Sequence, residues 1–179
     1  MQIKGLTDED FVNYKYPCMF IAMPTCSFKC EKECGIKVCQ NSELALQPTH
    51  NIDISILVDR YANNPITKAI VFGGLEPFDS FDSIYEFIEF CRKKYVTDEK
   101  QVIDTESWVI RSIPVNIDDD IVIYTGYEEH EIQDKIERLK EFKNIIIKFG
   151  RYIPNQEKHY DPVLGVYLAS DNQYAKQIS

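Results

Sequence analysis

The sequence predicts an α/β fold built on one mostly parallel sheet. Two observations carry this. Short apolar runs alternate with amphipathic stretches along most of the chain, and the runs are nearly continuous in apolar residues, as strands buried on both faces are. The chain has 179 residues, within the usual range for a single domain of roughly 100–200 residues. It is therefore read as one domain, 1–179. A complete (β/α)₈ barrel usually needs about 250 residues.

Each element follows from its local pattern. Cys18 to Met23, CMFIAM, reads as a first buried strand leading straight into a cysteine cluster. A helix is expected from Asp53 to Asn63, with Ile54, Leu57, Val58 and Tyr61 on one face, ended by Asn63-Asn64-Pro65. Ala69 to Phe72 is a second strand, closed by Gly73-Gly74. Ser80 to Tyr95 is the clearest helix: Phe81, Ile84, Tyr85, Ile88 and Cys91 share a face. Asp79 or Ser80 is placed to cap it, and Arg92 to Lys94 suit its C-terminal end. Residues 97–119 read as an irregular excursion with one extra strand at Trp108 to Arg111. Ile121 to Tyr124 is a strand, Glu128 to Phe142 an amphipathic helix, Ile145 to Phe149 a strand and Val163 to Ala169 a last one.

Composition narrows the function. With 20 Lys+Arg against 29 Asp+Glu the formal net charge is −9, and the pI near 4.9 argues against a nucleic-acid-binding surface, whose usual footprint is basic. No apolar run approaches the roughly 18–20 residues that span a bilayer, and the polar, acidic start is unlike a signal peptide. A cytoplasmic address is expected. In a reducing compartment the six cysteines gain meaning, because Cys26, Cys30, Cys34 and Cys39 fall within fourteen residues. Such a cluster points to metal binding or catalysis rather than to disulfides. Cys18 and Cys91 sit on apolar faces and are read as core residues.

Loops at the C-terminal ends of parallel strands form the usual ligand crevice. Three such loops stand out here: the cysteine loop, Gly73-Gly74-Leu75-Glu76-Pro77, and Tyr124-Thr125-Gly126-Tyr127. All three are expected at one edge of the sheet. The gaps between successive clustered cysteines are three, three and four residues, unlike the paired C-x2-C knuckles of structural zinc. Soft thiolates also suit iron–sulfur clusters, and three cysteines would leave one iron open to substrate. A loop stapled by zinc through all four cysteines, in a binding module without catalysis, is the alternative. Two glycines let a backbone approach a ligand closely, and Glu76 can accept hydrogen bonds from an ammonium group.

These residues resemble the radical S-adenosylmethionine superfamily, whose mark is a cysteine loop after the first strand and a Gly-Gly-Glu-Pro loop after the second. Within it the chain is most similar to the activating proteins of anaerobic ribonucleoside-triphosphate reductase. Tyr124 to Tyr127 matches their Tyr-Thr-Gly-Tyr. Leu164-Gly165, Ser170, Asn172 and Gln173 match their tail, so the resemblance spans about residues 17–174. Two departures stand out. The superfamily pattern is C-x3-C-x2-C, which Cys26 and Cys30 begin with Phe28 between them. Cys34 is nearer the spacing of the third ligand, whereas Cys39-Gln40-Asn41 better matches the end of the motif, and Cys39 is preferred, with Glu31 to Val38 as an insertion. Leu75 is inserted between the glycines and Glu76.

The resemblance implies a partial (β/α) barrel with a curved sheet. It implies a [4Fe–4S] cluster on Cys26, Cys30 and Cys39. It also implies S-adenosyl-L-methionine held by Phe28, Gly73, Gly74 and Glu76, with the methionine ammonium on Gly73, Gly74 and Glu76. Reductive cleavage would give a 5′-deoxyadenosyl radical that takes a hydrogen from a glycine of the reductase. The implied electron source is a flavodoxin-like or ferredoxin-like protein. A radical S-adenosylmethionine enzyme acting on another protein or a small molecule is the alternative within the superfamily. Other polar residues have plainer readings: His50, His130 and His159 as surface or capping residues, Asp118 to Asp120 as a solvated acidic loop, and Tyr127 and Tyr160 as either opening or packing residues.

Overall fold

The computed structural model describes residues 1–95, 97–104 and 109–179, with 97–104 and 109–115 described by backbone alone. The chain begins with β1 (Gln2–Ile3), β2 (Gly5–Asp10) and β3 (Cys18–Met23), then α1 (Lys29–Cys34), α2 (Ser42–Leu46), β4 (His50–Asn51) and α3 (Ile54–Ala62). It continues through β5 (Ala69–Gly74), α4 (Phe81–Glu89), β6 (Thr97–Asp104), β7 (Val109–Val115), β8 (Asp120–Tyr124) and α5 (Gln133–Leu139). The last elements are β9 (Ile145–Phe149), β10 (His159–Asp161), β11 (Val166–Leu168) and β12 (Tyr174–Gln177).

The central sheet has six strands in the order β12-β9-β8-β5-β3-β2. Strands β3, β5, β8 and β9 run parallel, and β2 and β12 close the two edges antiparallel. The fold is thus α/β with a mostly parallel central sheet, as predicted. Strand alternation decides what each face carries. Met19, Ile21, Ile70, Phe72, Ile121, Ile123, Ile145 and Ile147 meet the apolar faces of α3, α4 and α5 in one cluster. Cys18, Ala69, Val71, Val122 and Ile146 point the other way and meet Tyr14, Leu164 and Leu168. Helices α3, α4 and α5 therefore cover one face. Parallel strands laid down in chain order, with crossovers of one hand, put α3, α4 and α5 on the same side. The β10–β11 hairpin and the segment around Tyr14 cover the other face.

Several local expectations change. Strand β2, GLTDED, was not foreseen because it is polar; it is an edge strand with β3 as its neighbour in the sheet. Within 97–119, β6 and β7 pair antiparallel where an irregular excursion was expected. Of the expected strand Trp108 to Arg111, Trp108 lies outside the described residues. The Asp118–Asp120 loop is not merely solvated. Asp119 accepts from Tyr61 Oη at 2.7 Å and Asp120 from Tyr14 Oη at 2.7 Å, while buried Arg92 donates to the carbonyls of Ile117 and Asp119. The helix expected from Glu128 begins instead as a 3-10 turn with a reciprocal Glu128–Glu131 capping box, followed by α5. Cys18 and Cys91 are fully buried, as expected, and burial pushes each thiol up to about 12. Among the described residues, no helix is long and apolar enough to cross a membrane.

Candidate functional site

The parallel strands release their loops at one edge, and main-chain bonds tie those loops together. Glu76 N donates to Thr25 O at 2.8 Å, and Thr125 N to Lys148 O at 2.8 Å. The knot of the site is the Glu76 carboxylate, 7% exposed. Its Oε1 accepts from Phe78 N at 3.0 Å and Thr125 Oγ1 at 2.6 Å, and its Oε2 accepts from Gly126 N at 2.8 Å. Burial pushes this carboxyl upward, against the pull of the three donors. Asp79 makes the next link: it accepts from Ser27 N at 2.7 Å and Tyr127 Oη at 2.6 Å. Asp79 was expected to cap α4; it joins the cysteine loop to the Tyr127 loop instead. Ser80 occupies the N-cap position without capping and meets Thr25 Oγ1 at 2.9 Å.

The glycine pair serves packing. A Cβ on Gly73 would sit 2.8 Å from the Phe20 ring. Gly74 has φ 78°, and a Cβ there would meet Leu44 of α2 at 2.9 Å and Ala22 at 3.0 Å. Its carbonyl accepts from Asn41 Nδ2 at 2.6 Å. The Cys39-Gln40-Asn41 end of the cysteine loop therefore docks on the Gly-Gly turn.

The cysteine loop turns sharply at Phe28, whose φ of 52° is left-handed and which starts α1. That turn points Phe28 N at Cys26 Sγ, 3.2 Å away. Cys30, one turn on, faces Gly126: a Cβ there would lie 3.7 Å from Cys30 Sγ and 3.5 Å from Glu76 Oε2. Burial pushes Cys26 up to about 11, with the charges of Glu76, Asp79 and Cys30 adding. Cys30 is raised by burial, with the charge of Cys39 adding. Cys34 is exposed at the end of α1. Among the described residues, no three His, Cys, Asp or Glu side chains converge as a ready-made metal site. The donor chemistry of Cys26, Cys30 and Cys39 nonetheless fits a thiolate-ligated iron–sulfur cluster. Their protons would leave on binding.

Sequence reasoning missed two cations here. Lys148 is the one charge in the apolar strand IIIKF; it is 6% exposed and donates to Gly150 O at 2.8 Å. Burial pulls it down to about 8, and Glu76, Cys30 and Glu128 pull it back up. Arg151, 8% exposed, donates to Glu131 at 2.7 Å. A narrow cleft runs between Cys26, Cys30, Glu76, Gly126, Tyr127 and Arg151. A charged residue inside a buried strand was the signal available for Lys148; Arg151 had none beyond its place after a strand end. Of the tyrosines, Tyr127 lines the cleft, whereas Tyr160 is exposed on β10 against Tyr167.

Comparison of the chain with protein-family models, curated proteins and solved structures finds no match.

Proposed function

We propose that this chain is a radical S-adenosylmethionine enzyme that activates an anaerobic ribonucleoside-triphosphate reductase by creating a glycyl radical on it. One observation carries the reading. Cys30, Glu76 and Gly126, from three separate loops, meet at the C-terminal edge of the parallel strands, with Cys30 Sγ and Glu76 Oε2 within 3.7 Å of one point above Gly126. That is the juxtaposition the motif order requires.

In this reading Cys26, Cys30 and Cys39 hold a [4Fe–4S] cluster. When bound and reduced, it supplies the electron that cleaves the sulfur–carbon bond of S-adenosylmethionine. The chain supplies position. Glu76 Oε2 accepts from Gly126 among the described residues and keeps lone-pair capacity for an ammonium group. Phe28, held left-handed, directs its amide at Cys26 and fixes the first turn of the loop. Gly73 and Gly74 let β5 lie close to Phe20 and α2, which seats the Asn41 end of the loop. The sheet is read as an open, partial barrel. The approach for a protein substrate, which a closed barrel would block, is at the sheet edge where the loops of Cys30, Glu76 and Gly126 meet. A cytoplasmic address and a flavodoxin-like or ferredoxin-like reductant complete the proposal.

The test is chemical. Reconstituted, reduced protein mixed with S-adenosylmethionine should release 5′-deoxyadenosine. Adding an anaerobic reductase should produce a glycyl-radical EPR doublet. Release of 5′-deoxyadenosine without the doublet would move the assignment to another protein or small-molecule substrate. No 5′-deoxyadenosine at all would end the radical reading.

A further inference from the structure

The tail residues Ser170, Asn172 and Gln173 have no part in the chemistry above, yet Ser170 and Gln173 are buried. All three bond the chain that leaves β9. Gln173 Nε2 donates to Gly150 O at 3.2 Å, beside the bond from Lys148 Nζ to the same carbonyl. Its Oε1 accepts from Ala169 N at 3.1 Å and Ser170 N at 3.2 Å, which fixes the turn itself. Asn172 Nδ2 donates to Arg151 O at 2.9 Å. Ser170 Oγ accepts from Ile153 N at 3.4 Å. Gly150 takes φ 95°, and a Cβ there would press on Asn172 O at 3.0 Å. The tail thus grips both sides of Arg151.

Arg151 in turn reaches the cysteine loop. Its guanidinium bonds Glu131 at 2.7 Å, lies 6.0 Å from the centre of the Tyr127 ring, and brings Nε to 3.1 Å from Glu33 on α1. The Nε contact with Glu33 is one of charge, since Nε has no aligned hydrogen-bond partner. Lys29, also on α1, bonds the same Glu131 oxygen at 3.1 Å and sits 4.3 Å from the Tyr127 ring centre. Helix α1 has six residues and no buried side chain. So short a helix is marginal alone, and these charges hold it to the body between the Ser27–Asp79 and Asn41–Gly74 bonds that anchor the loop on either side.

We propose that the Ser170–Gln173 turn is a positioning device: it fixes Arg151, and Arg151 with Glu131 clasps α1 so that Cys26 and Cys30 stay over Gly126. Asn172 and Gln173 are positioning residues, acting through Arg151. The inference rests on Cys26 and Cys30 being the groups the site uses. Its test does not require the cluster, so the two readings can fail separately.

The experiment is alkylation of the reduced, full-length, chelator-treated chain by iodoacetamide, with each cysteine followed by peptide mass spectrometry. Cys18 and Cys91, buried in the core, report general loosening. Arg151→Gln and Asn172→Leu should each speed alkylation of Cys26 and Cys30 several-fold and leave Cys18 and Cys91 slow. Their double variant should be little faster than either alone, because both act through one contact chain. Arg151→Lys should recover part of the native protection. Glu33→Gln, at an exposed position that does not threaten folding, should give a smaller acceleration confined to the same two thiols. Unchanged Cys26 and Cys30 rates in Arg151→Gln and Glu33→Gln would overturn the proposal. So would acceleration of all four cysteines together, which would make the tail a general stabiliser.

Discussion

Glu76 places a buried carboxylate where donors from two loops converge, on Phe78, Thr125 and Gly126. Glu76→Gln keeps the shape but turns one oxygen into a donor that must face another donor. It should lower stability by about 1–3 kcal/mol, read as a shifted denaturant midpoint at constant slope. In the loaded enzyme it should also weaken S-adenosylmethionine binding by about tenfold, about 1.4 kcal/mol. Unaltered affinity would remove Glu76 from the ligand site. Glu131 gives a pH test. Its hydrogen bond from Arg151 holds the carboxyl at about 2, below an ordinary 4.5. A depressed folded value means stabilisation present above the unfolded value and lost as pH falls toward the folded one. The thermal stability gap between the native chain and Glu131→Gln should therefore be full above pH 4.5 and narrow as pH drops toward about 2. A gap that stays constant with pH would contradict the pairing. At this scale the meeting of Cys26, Cys30 and Glu76 at one place was legible, because each sits in a short spaced motif at a strand end. Lys148 and Arg151 were not legible, because a single cation acquires meaning only from neighbours brought from distant parts of the chain.

The elements divide by how completely they are buried. Strands β3, β5, β8 and β9 are apolar on both faces, so CMFIAM and IIIKF announce themselves. Strand β2 is a polar edge that exists through pairing with β3, and pairing is a tertiary fact absent from its own six letters. Strand β6 was hidden for a similar reason, since TDEKQVID is mostly polar, whereas the strand expected at Trp108 to Arg111 overlaps β7. Gly74 tests how tightly one element end is fitted. Gly74→Ala meets both φ 78° and contacts at 2.9–3.1 Å with Leu44 and Ala22. It should destabilise the fold by roughly 1–3 kcal/mol, measured by chemical denaturation. A loss below a few tenths of a kcal/mol would mean that α2 moves aside freely.

Over the whole molecule, chain-ordered parallel strands collect every covering helix on one side and leave the other to a hairpin and a loop. The loops carrying Cys30, Glu76 and Gly126 meet at the C-terminal edge of the parallel strands. The acidic balance of −9 suits a protein or small-molecule partner better than a nucleic acid. The mostly parallel sheet and the meeting of three loops were readable from the alternation of runs. The hairpin cover of the second face was not, because it depends on where the chain after β9 returns. The central claim is a cluster on Cys26, Cys30 and Cys39, and the metal content of anaerobically purified protein tests it most directly. Brown protein with about four iron and four sulfide per chain, lost in Cys39→Ala and kept in Cys34→Ala, is the expected result. Iron lost in Cys34→Ala but kept in Cys39→Ala would contradict the third ligand. Colourless protein with about one zinc per chain would contradict the claim as a whole.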